Sequence, residues 1–132
     1  MIRRAVASHV SQREDWNGKC SDLAMMRLRV ALRPGATCPA LELLDALRFI
    51  ALGTRGDPGC LSASAWVDPD SLVRYVEEWV TEPEMRRRVR SAQFLSLLAI
   101  VESAGDPEVL FDFVSETRGL DYVAEAREDT AN

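Results

Sequence analysis

The sequence switches repeatedly between two hydrophobic periodicities, and this alternation limits the fold more than any other feature. Polar and apolar residues alternate in 27–32 and in 60–67, which is typical of half-buried strands. Apolar residues recur at helical spacing in 41–51 and again after residue 82. The resulting order, β-α-β-β-α-β, predicts an α+β fold built on a ferredoxin-like sheet.

Turn and capping residues set the limits of the first helix. Pro34-Gly35 ends the first strand. Thr37 or Cys38 is the predicted N-cap, followed by Pro39 in the first turn. Gly53 is predicted to follow the end of the helix. The predicted buried stripe consists of Leu41, Leu43, Leu44, Leu47, Phe49, Ile50 and Ala51.

A hairpin, two helical segments and a final strand make up the rest of the pattern. Asp68-Pro69-Asp70 forms a turn between 60–67 and a strand over 72–80. Thr81 and Glu84 then form a capping box. The elements predicted after it are a helix over 82–91, a helical segment over 93–103 and a strand over 108–115. The stretch 119–127 fits a short strand or a helical turn equally well.

The chain of 132 residues is long enough for one domain with a hydrophobic core. Residues 1–24 are polar with little periodicity. They are either a leader outside the fold, arising for instance from a misassigned translation start, or a short ordered arm anchored by Trp16. The predicted domain spans 25–127, and 128–132 form a tail.

Composition excludes several classes of function. The single histidine is His9, so 25–132 offers no histidine for a metal site, a catalytic triad or a haem ligand. A net charge of −5 argues against a broad nucleic-acid interface. Cys20, Cys38 and Cys60 form no CxxC pair, and no apolar run is long enough for a membrane span. We therefore expect a cytoplasmic protein without partners among nucleic acids or membranes.

Both faces of the predicted sheet are too rich in aromatic and polar side chains to be simply solvent-exposed. Two helices can cover one face, so the other face needs a partner or a ligand. A second copy of the sheet would close it into a barrel, which predicts a homodimer. The strand residues expected to line one cavity are Arg29, Ser62, Ser64, Trp66, Tyr75, Glu77 and Trp79.

Several short motifs stand between residues 58 and 94. They are Pro58-Gly59-Cys60-Leu61, Glu77-Glu78-Trp79, Thr81-Glu82-Pro83-Glu84, Arg88 four residues later, and Ser91-Ala92-Gln93-Phe94. With these motifs the chain resembles the antibiotic biosynthesis monooxygenase family of the dimeric α+β barrel superfamily, over about 26–115. The motifs are more specific for this fold than for any one reaction.

The resemblance implies a small dimeric barrel, which in this family often oxygenates electron-rich aromatics such as quinols without a cofactor. Other relatives degrade haem, isomerise small metabolites or have no known activity. The family pattern commonly has a histidine three residues before the serine of the second helix, where this chain has Arg88. An arginine stays protonated and has no lone pair for iron, so haem degradation is disfavoured. A reaction in which that histidine is the base is put in doubt as well.

Each candidate for catalysis has a structural interpretation beside the functional one. Trp79 either stacks on an aromatic substrate or fills the core at a dimer seam. Arg88 either binds an enolate, phenolate or carboxylate or belongs to a solvated, arginine-rich helix face. Glu77 either acts as a general base in an apolar cavity or forms a salt bridge with Arg29 or Arg27.

The candidates for substrate binding are open in the same way. Tyr75 is either a proton donor or a residue of the dimer interface whose hydroxyl is hydrogen-bonded within the protein. Ser62, Ser64 and Trp66 either line the cavity or serve packing and hairpin pairing. Cys60 is expected to be inert, because an apolar strand position raises the pKa of a thiol. No acidic residues show the spacing of metal ligands.

Two functions from different classes remain open. One is a cofactor-independent monooxygenase of a small phenolic or quinol compound, in which a protein base deprotonates the substrate and the resulting anion reduces O₂ directly. The other is a non-catalytic dimeric barrel that binds a small molecule or serves a stress response. An open cavity that contains Glu77 or Arg88 near Trp79 favours the first, and a filled interior favours the second.

Overall fold

The structure is a computed structural model that describes residues 23–33, 40–113 and 116–128. The strands are β1 (Ala24–Leu32), β2 (Cys60–Val67), β3 (Val73–Trp79), β4 (Gly105–Asp112) and β5 (Thr117–Arg118). The helices are α1 (Ala40–Thr54), α2 (Glu82–Val89), α3 (Ala92–Ala104) and α4 (Asp121–Glu128). Within these segments, no helix is long and apolar enough to cross a lipid bilayer. The expectations for residues 1–22 and for the N-cap of α1 lie outside the described residues.

The sheet confirms the predicted ferredoxin-like topology. Its strand order is β2-β3-β1-β4-β5, and each neighbouring pair is antiparallel. Leu28 in β1 lies opposite Tyr75 in β3 and Val109 in β4, and all three are buried on the helix-covered face. Because side chains alternate along a strand, Arg27 lies with Val76 and Leu110 on the other side, the open face.

Helix α1 packs on the sheet through a narrower stripe than the sequence pattern predicts. Its buried residues are Leu43, Leu44, Leu47, Ala51 and Thr54. Leu41 and Phe49, predicted to be buried, are 70% and 78% exposed. They lie about 120° and 160° around the helix from Leu47, at the usual 100° per residue. Gly53 was predicted to follow the helix and instead lies inside it.

The two helical segments after β3 are capped by side chains at their N-termini. The Thr81 hydroxyl accepts a hydrogen bond from the Glu84 backbone N–H, as the capping box predicts. Ser91 caps α3 in the same way, accepting from the Phe94 N–H at 3.1 Å. The chain therefore turns between α2 and α3 at a residue whose side chain accepts a hydrogen bond from a free backbone N–H in the first turn of α3.

Two strands begin earlier than predicted. Strand β1 begins at Ala24, and Leu23 before it is buried, so the last two residues of the predicted leader belong to the folded domain. Strand β4 begins at Gly105, directly after α3, and ends at Asp112. A Cβ on Gly105 would lie 2.1 Å from the Ala31 carbonyl oxygen, so glycine allows this abrupt helix-to-strand change.

The C-terminal stretch whose structure the sequence left open contains both alternatives. Two residues form β5 beside β4, and α4 follows. Tyr122 of α4 is fully buried, with its ring centroid 4.8 Å from that of Phe111 and 5.1 Å from that of Phe113. Helix α4 therefore covers the end of the sheet where β4 and β5 meet.

Two glycine substitutions test this packing. We expect Gly105→Ala to lower the free energy of unfolding by about 2 kcal/mol or more, because its Cβ has no room beside Ala31. Gly53→Ala, inside α1 with no atom within 4 Å of the new Cβ, should raise it by about 0.4–1 kcal/mol. Urea denaturation followed by circular dichroism measures both, and equal effects of the two would contradict the assigned packing at Gly105.

Candidate functional site

Strand β3 places three chemistry-bearing side chains on the helix-covered face. Tyr75, Glu77 and Trp79 alternate with half-buried residues, and all three are 0% exposed. The Tyr75 hydroxyl donates to Glu77 Oε2 at 2.5 Å, and the Trp79 indole N–H donates to Glu77 Oε1 at 2.9 Å. The spacing i, i+2, i+4 of a strand thus lets one carboxylate accept hydrogen bonds from both aromatic neighbours.

Arg88 completes the coordination of this buried carboxylate. Its Nη2 lies 2.6 Å from Glu77 Oε2, and its Nε lies 3.1 Å from Oε1 and 3.2 Å from Oε2. The Arg88 side chain is 8% exposed and Glu77 is not exposed at all. A forked guanidinium–carboxylate contact of this kind is the strong, geometrically specific form of ion pair.

Thr54 is part of the same network, although the sequence reasoning missed it. Its hydroxyl accepts a hydrogen bond from Arg88 Nη2 at 3.3 Å and donates to the Ile50 carbonyl at 2.8 Å. The signal was present, because Thr54 continues the stripe of Leu47 and Ala51 at helical spacing. A polar residue at the end of an apolar stripe often has a buried partner.

An open cavity of about 800 Å³ lies beside this network. Helix α1 forms one wall, and α2 and α3 form the other. Trp79, Arg88 and Thr54 line it next to the network, whereas Phe49 and Ile100 belong to its apolar walls. Glu77 lies behind these residues and does not line the cavity. The cavity therefore lies on the helix-covered side of the sheet and not on the uncovered face, where the sequence placed the site.

The charges of the network have clear effects on its members. Burial acts against the charged form of Arg88, but the hydrogen bonds and charge of Glu77 outweigh it, so the pKa of Arg88 lies above its ordinary value. Burial and the neighbouring Glu77 charge hold the pKa of Tyr75 far above its usual range, while the nearby Thr54 hydroxyl acts in the opposite direction. Tyr75 therefore remains a protonated donor.

A second ion pair stands at another part of the cavity wall. Arg87 Nη2 lies 2.8 Å from Asp57 Oδ1 and 2.6 Å from Glu84 Oε1. The hydrogen bond from Arg87 lowers the pKa of Asp57 despite an opposing effect of burial. Because Arg87 is about half exposed, this pair is much better solvated than the one between Arg88 and Glu77.

The other predicted strand residues do not line this cavity, which corrects the expectation of a single site. Ser62, Ser64 and Trp66 lie opposite Glu78, Val76 and Arg74, on the open face. Arg29 also lies opposite Arg74 and pairs with Glu108 at 2.6 Å. These four side chains are separated from Glu77 and Trp79 by the sheet itself, because neighbours in register point to the same face.

Two further expectations about charges are wrong. Glu77 pairs with Arg88 and not with Arg29 or Arg27, since Arg27 pairs with Asp112 across the open face. Arg88 does not belong to a solvated helix face, although its neighbour Arg87 is about half exposed. One turn of α2 thus directs adjacent arginines to different surroundings.

Cysteine and metal chemistry have little support in this part of the chain. Burial raises the pKa of the Cys60 thiol to about 11, in the direction that the sequence predicts, and the charge of Glu77 adds to the effect. Among the described residues, no three side chains of His, Cys, Asp or Glu are grouped as metal ligands.

Solved structures of the same shape identify the fold. Rv0793 from Mycobacterium tuberculosis is 23% identical with a TM-score of 0.56, over 69% of this chain and 92% of that one. An antibiotic biosynthesis monooxygenase is 20% identical with a TM-score of 0.54, over 67% and 94%. SnoaB, a cofactor-independent oxygenase from Streptomyces nogalater, is 12% identical with a TM-score of 0.57, over 70% and 91%. The chain has the antibiotic biosynthesis monooxygenase fold.

The resemblance inferred from the sequence is thus confirmed for the fold of the monooxygenase family. No family model matches the sequence, and no curated protein matches it significantly. Arg88, the residue at which the resemblance implies a histidine, has Glu77 as its partner.

Removal of one member tests the energetic role of the buried ion pair. We expect Arg88→Met to lower the free energy of unfolding by about 3–5 kcal/mol, because it leaves the Glu77 charge buried without a counterion. The exposed neighbour gives the matched control, and Arg87→Met should cost less than about 1 kcal/mol.

The double variant Glu77→Gln/Arg88→Met should recover more than half of the loss, since no uncompensated charge then remains. Chemical denaturation at pH 7 gives all three values. Equal losses for Arg87→Met and Arg88→Met would show that the pair is not buried as described.

Proposed function

We propose that the chain is a cofactor-independent monooxygenase that binds a small aromatic, quinol-like or phenolic compound between α1 and α3. The observation that supports this most directly is the open cavity with Trp79 and Arg88 side by side in its lining. A volume of about 800 Å³ is within the range of small-molecule sites. The fold that the chain shares with SnoaB, a cofactor-independent oxygenase, supports the same proposal.

The cavity would bind the two ends of such a compound differently. Phe49, Ile50 and Ile100 offer apolar surface for a ring. Arg88 and Thr54 lie where the polar end of the compound would be held. An aromatic body and a hydroxyl group would therefore be oriented by the same cavity, which is the contribution that a cofactor-free site has to make.

The proposed reaction needs one proton transfer and a direct reaction with O₂. Loss of a proton leaves an electron pair on the substrate, and this pair reduces O₂. One oxygen atom forms a carbon–oxygen bond in the product, and the other takes up the proton and a second substrate hydrogen and leaves as water. The protein has to accept that first proton and stabilise the substrate anion while it lasts.

Glu77 is the proposed proton acceptor, although it does not line the cavity. Thr54 does line it, and its hydroxyl lies near enough to Tyr75 to act on the pKa of that phenol. The Tyr75 hydroxyl in turn donates to Glu77 at 2.5 Å. The proposed proton path runs from the substrate through these two hydroxyl groups to the carboxylate, and it requires the Thr54 hydroxyl to turn away from the Ile50 carbonyl, to which it donates. Because protonation removes the negative charge of Glu77, the positive charge of Arg88 would then stabilise the substrate anion.

A non-catalytic binding protein is the second candidate, and the hydrogen bonding of Glu77 favours it. Both carboxylate oxygens already accept bonds from Tyr75, Trp79 and Arg88. To accept a proton from a substrate, the carboxylate would have to give up at least one of these contacts. In this case the network would only shape the cavity, and the ligand would leave unchanged.

We also propose that two copies of the chain form a homodimer through their open faces. The arginines of the central strands there are already paired within one chain: Arg27 with Asp112, Arg29 with Glu108, and Arg74 with Asp68. Val76 and Leu110 lie among them. Contact between two such faces would bury apolar area without leaving these charges unpaired.

Oxygen consumption with a panel of quinols and phenols tests the proposed reaction. We expect uptake with at least one compound, a loss of about 10-fold or more in kcat for Glu77→Gln, and little change for the exposed control Glu102→Gln. Binding without any oxygen uptake would reject the monooxygenase and support the binding protein. The absence of both binding and uptake would reject both candidates.

Sedimentation at micromolar concentration tests the dimer. We expect a dimer for the wild type and a monomer for Val76→Glu, which places a charge in the middle of the open face. Leu120→Glu changes an exposed residue in the turn before α4 and should remain dimeric. A monomeric wild type would reject the proposed interface.

A further inference from the structure

We propose that Glu77 is an internal counterion that makes the cavity reject anionic ligands and select uncharged ones. This inference rests on the proposed binding of an aromatic compound between α1 and α3. It reverses the expectation from the sequence that Arg88 recognises a phenolate, enolate or carboxylate of the ligand. The reason is that the protein supplies the anion for Arg88 itself.

The hydrogen bonds of Arg88 are directed at groups of the protein. Its Nε and Nη2 both donate to Glu77, and Nη2 also donates to Thr54 at 3.3 Å. A side-on forked contact with a ligand carboxylate would need the Nε edge, which Glu77 occupies, and an end-on contact would need Nη2, which already donates to Glu77 and Thr54. An anion that forms a forked contact with Arg88 would therefore have to displace Glu77 from at least one of these donors.

Displacement is unfavourable because Glu77 has nowhere to be solvated. It is 0% exposed, and its other partners, Tyr75 and Trp79, are neutral hydrogen-bond donors. Without Arg88 its charge would be buried with no counterion, which proteins tolerate poorly. A bound anion could form a forked contact with Arg88 only by leaving the Glu77 charge without its counterion.

Arg87, the other arginine of the cavity wall, is also paired with carboxylates of the protein. Arg87 contacts Asp57 at 2.8 Å and Glu84 at 2.6 Å. The charged residues that line the cavity, together with their ion-pair partners, thus comprise two guanidinium groups and three carboxylates. An anion would meet an excess of negative charge, whereas an uncharged ring would not.

Uncharged polar groups are present for such a ligand to use. Gln93 and Ser96 line the cavity from α3, and both are exposed. Phe49, Ile50 and Ile100 give the apolar surface beside them. The cavity therefore suits an aromatic compound that carries hydroxyl, carbonyl or amide groups and no net charge.

An uncharged substrate also fits the proposed reaction by its charge balance. The O–H or C–H bond of the substrate breaks, its proton passes to Glu77, and the negative charge moves to the substrate. Arg88 then faces the substrate anion in place of Glu77, and the total charge of the site stays the same. A ligand that arrives as an anion brings no proton and leaves one negative charge too many.

Two probes of matched shape test the inference. 2-Naphthamide and 2-naphthoate share the ring system and differ by one charge at the same position. We expect the wild type to bind 2-naphthamide at least about tenfold more tightly than 2-naphthoate at pH 7, measured by titration calorimetry. Glu77→Gln, which keeps the shape of the side chain, should strengthen 2-naphthoate binding by at least about tenfold and reverse the order.

Two variants serve as controls for the stronger binding of 2-naphthoate expected for Glu77→Gln. Glu102→Gln changes the net charge equally at an exposed position of α3 and should leave both affinities unchanged. Glu77→Gln/Arg88→Gln removes both charges and should abolish the gain for 2-naphthoate. Since the comparison of the two probes uses the wild type, it decides the question even if a variant does not fold.

The outcomes separate this inference from the proposed function. If the wild type binds 2-naphthoate as tightly as 2-naphthamide or more tightly, the counterion role is rejected and the aromatic site stands. If it binds neither probe, both the aromatic site and the counterion role are rejected. An equal gain for Glu77→Gln and Glu102→Gln would show a general effect of net charge and would also reject the counterion role.

Discussion

The buried contact between Glu77 and Arg88 is the interaction on which the rest of the site depends. It joins the central region of the sheet to α2, and Thr54 connects α1 to the same guanidinium. Three elements that surround the cavity are therefore held by one pair of charges. Because neither charge has ready access to water, loss of either partner would disturb the positions of all three elements.

The two faces of the sheet carry separate sets of polar side chains, and this separation follows from strand geometry. Residues one position apart in β3 belong either to the buried network or to the open face, as Glu77 and Glu78 show. Glu78 accepts a hydrogen bond from Ser62 at 2.7 Å on the open face, whereas Glu77 binds Arg88 on the other side. A shift of one residue in register would exchange the side chains of the buried network for those of the open face.

Periodicity predicted the fold well because it reports which side of an element is buried. The strands around Leu28 and Tyr75 and the cap at Thr81 are found as predicted. The exact starts of β1 and β4 were not predictable, because Gly105 begins a strand only through its close approach to Ala31. In the candidate site, the predicted residues Glu77, Trp79 and Arg88 lie together, but on the helix-covered face and not on the predicted uncovered face, and Thr54 was missed.

The sequence by itself determined the order of helices and strands, the chemical types at the site and the absence of histidine after residue 9. These properties are local, since they depend on spacing along the chain and on composition. Tertiary structure alone decided that Arg88 faces Glu77 while Arg87 faces Asp57. Such pairs join residues far apart in sequence, and their burial depends on how α2 packs on the sheet. No periodicity within a single segment contains that information.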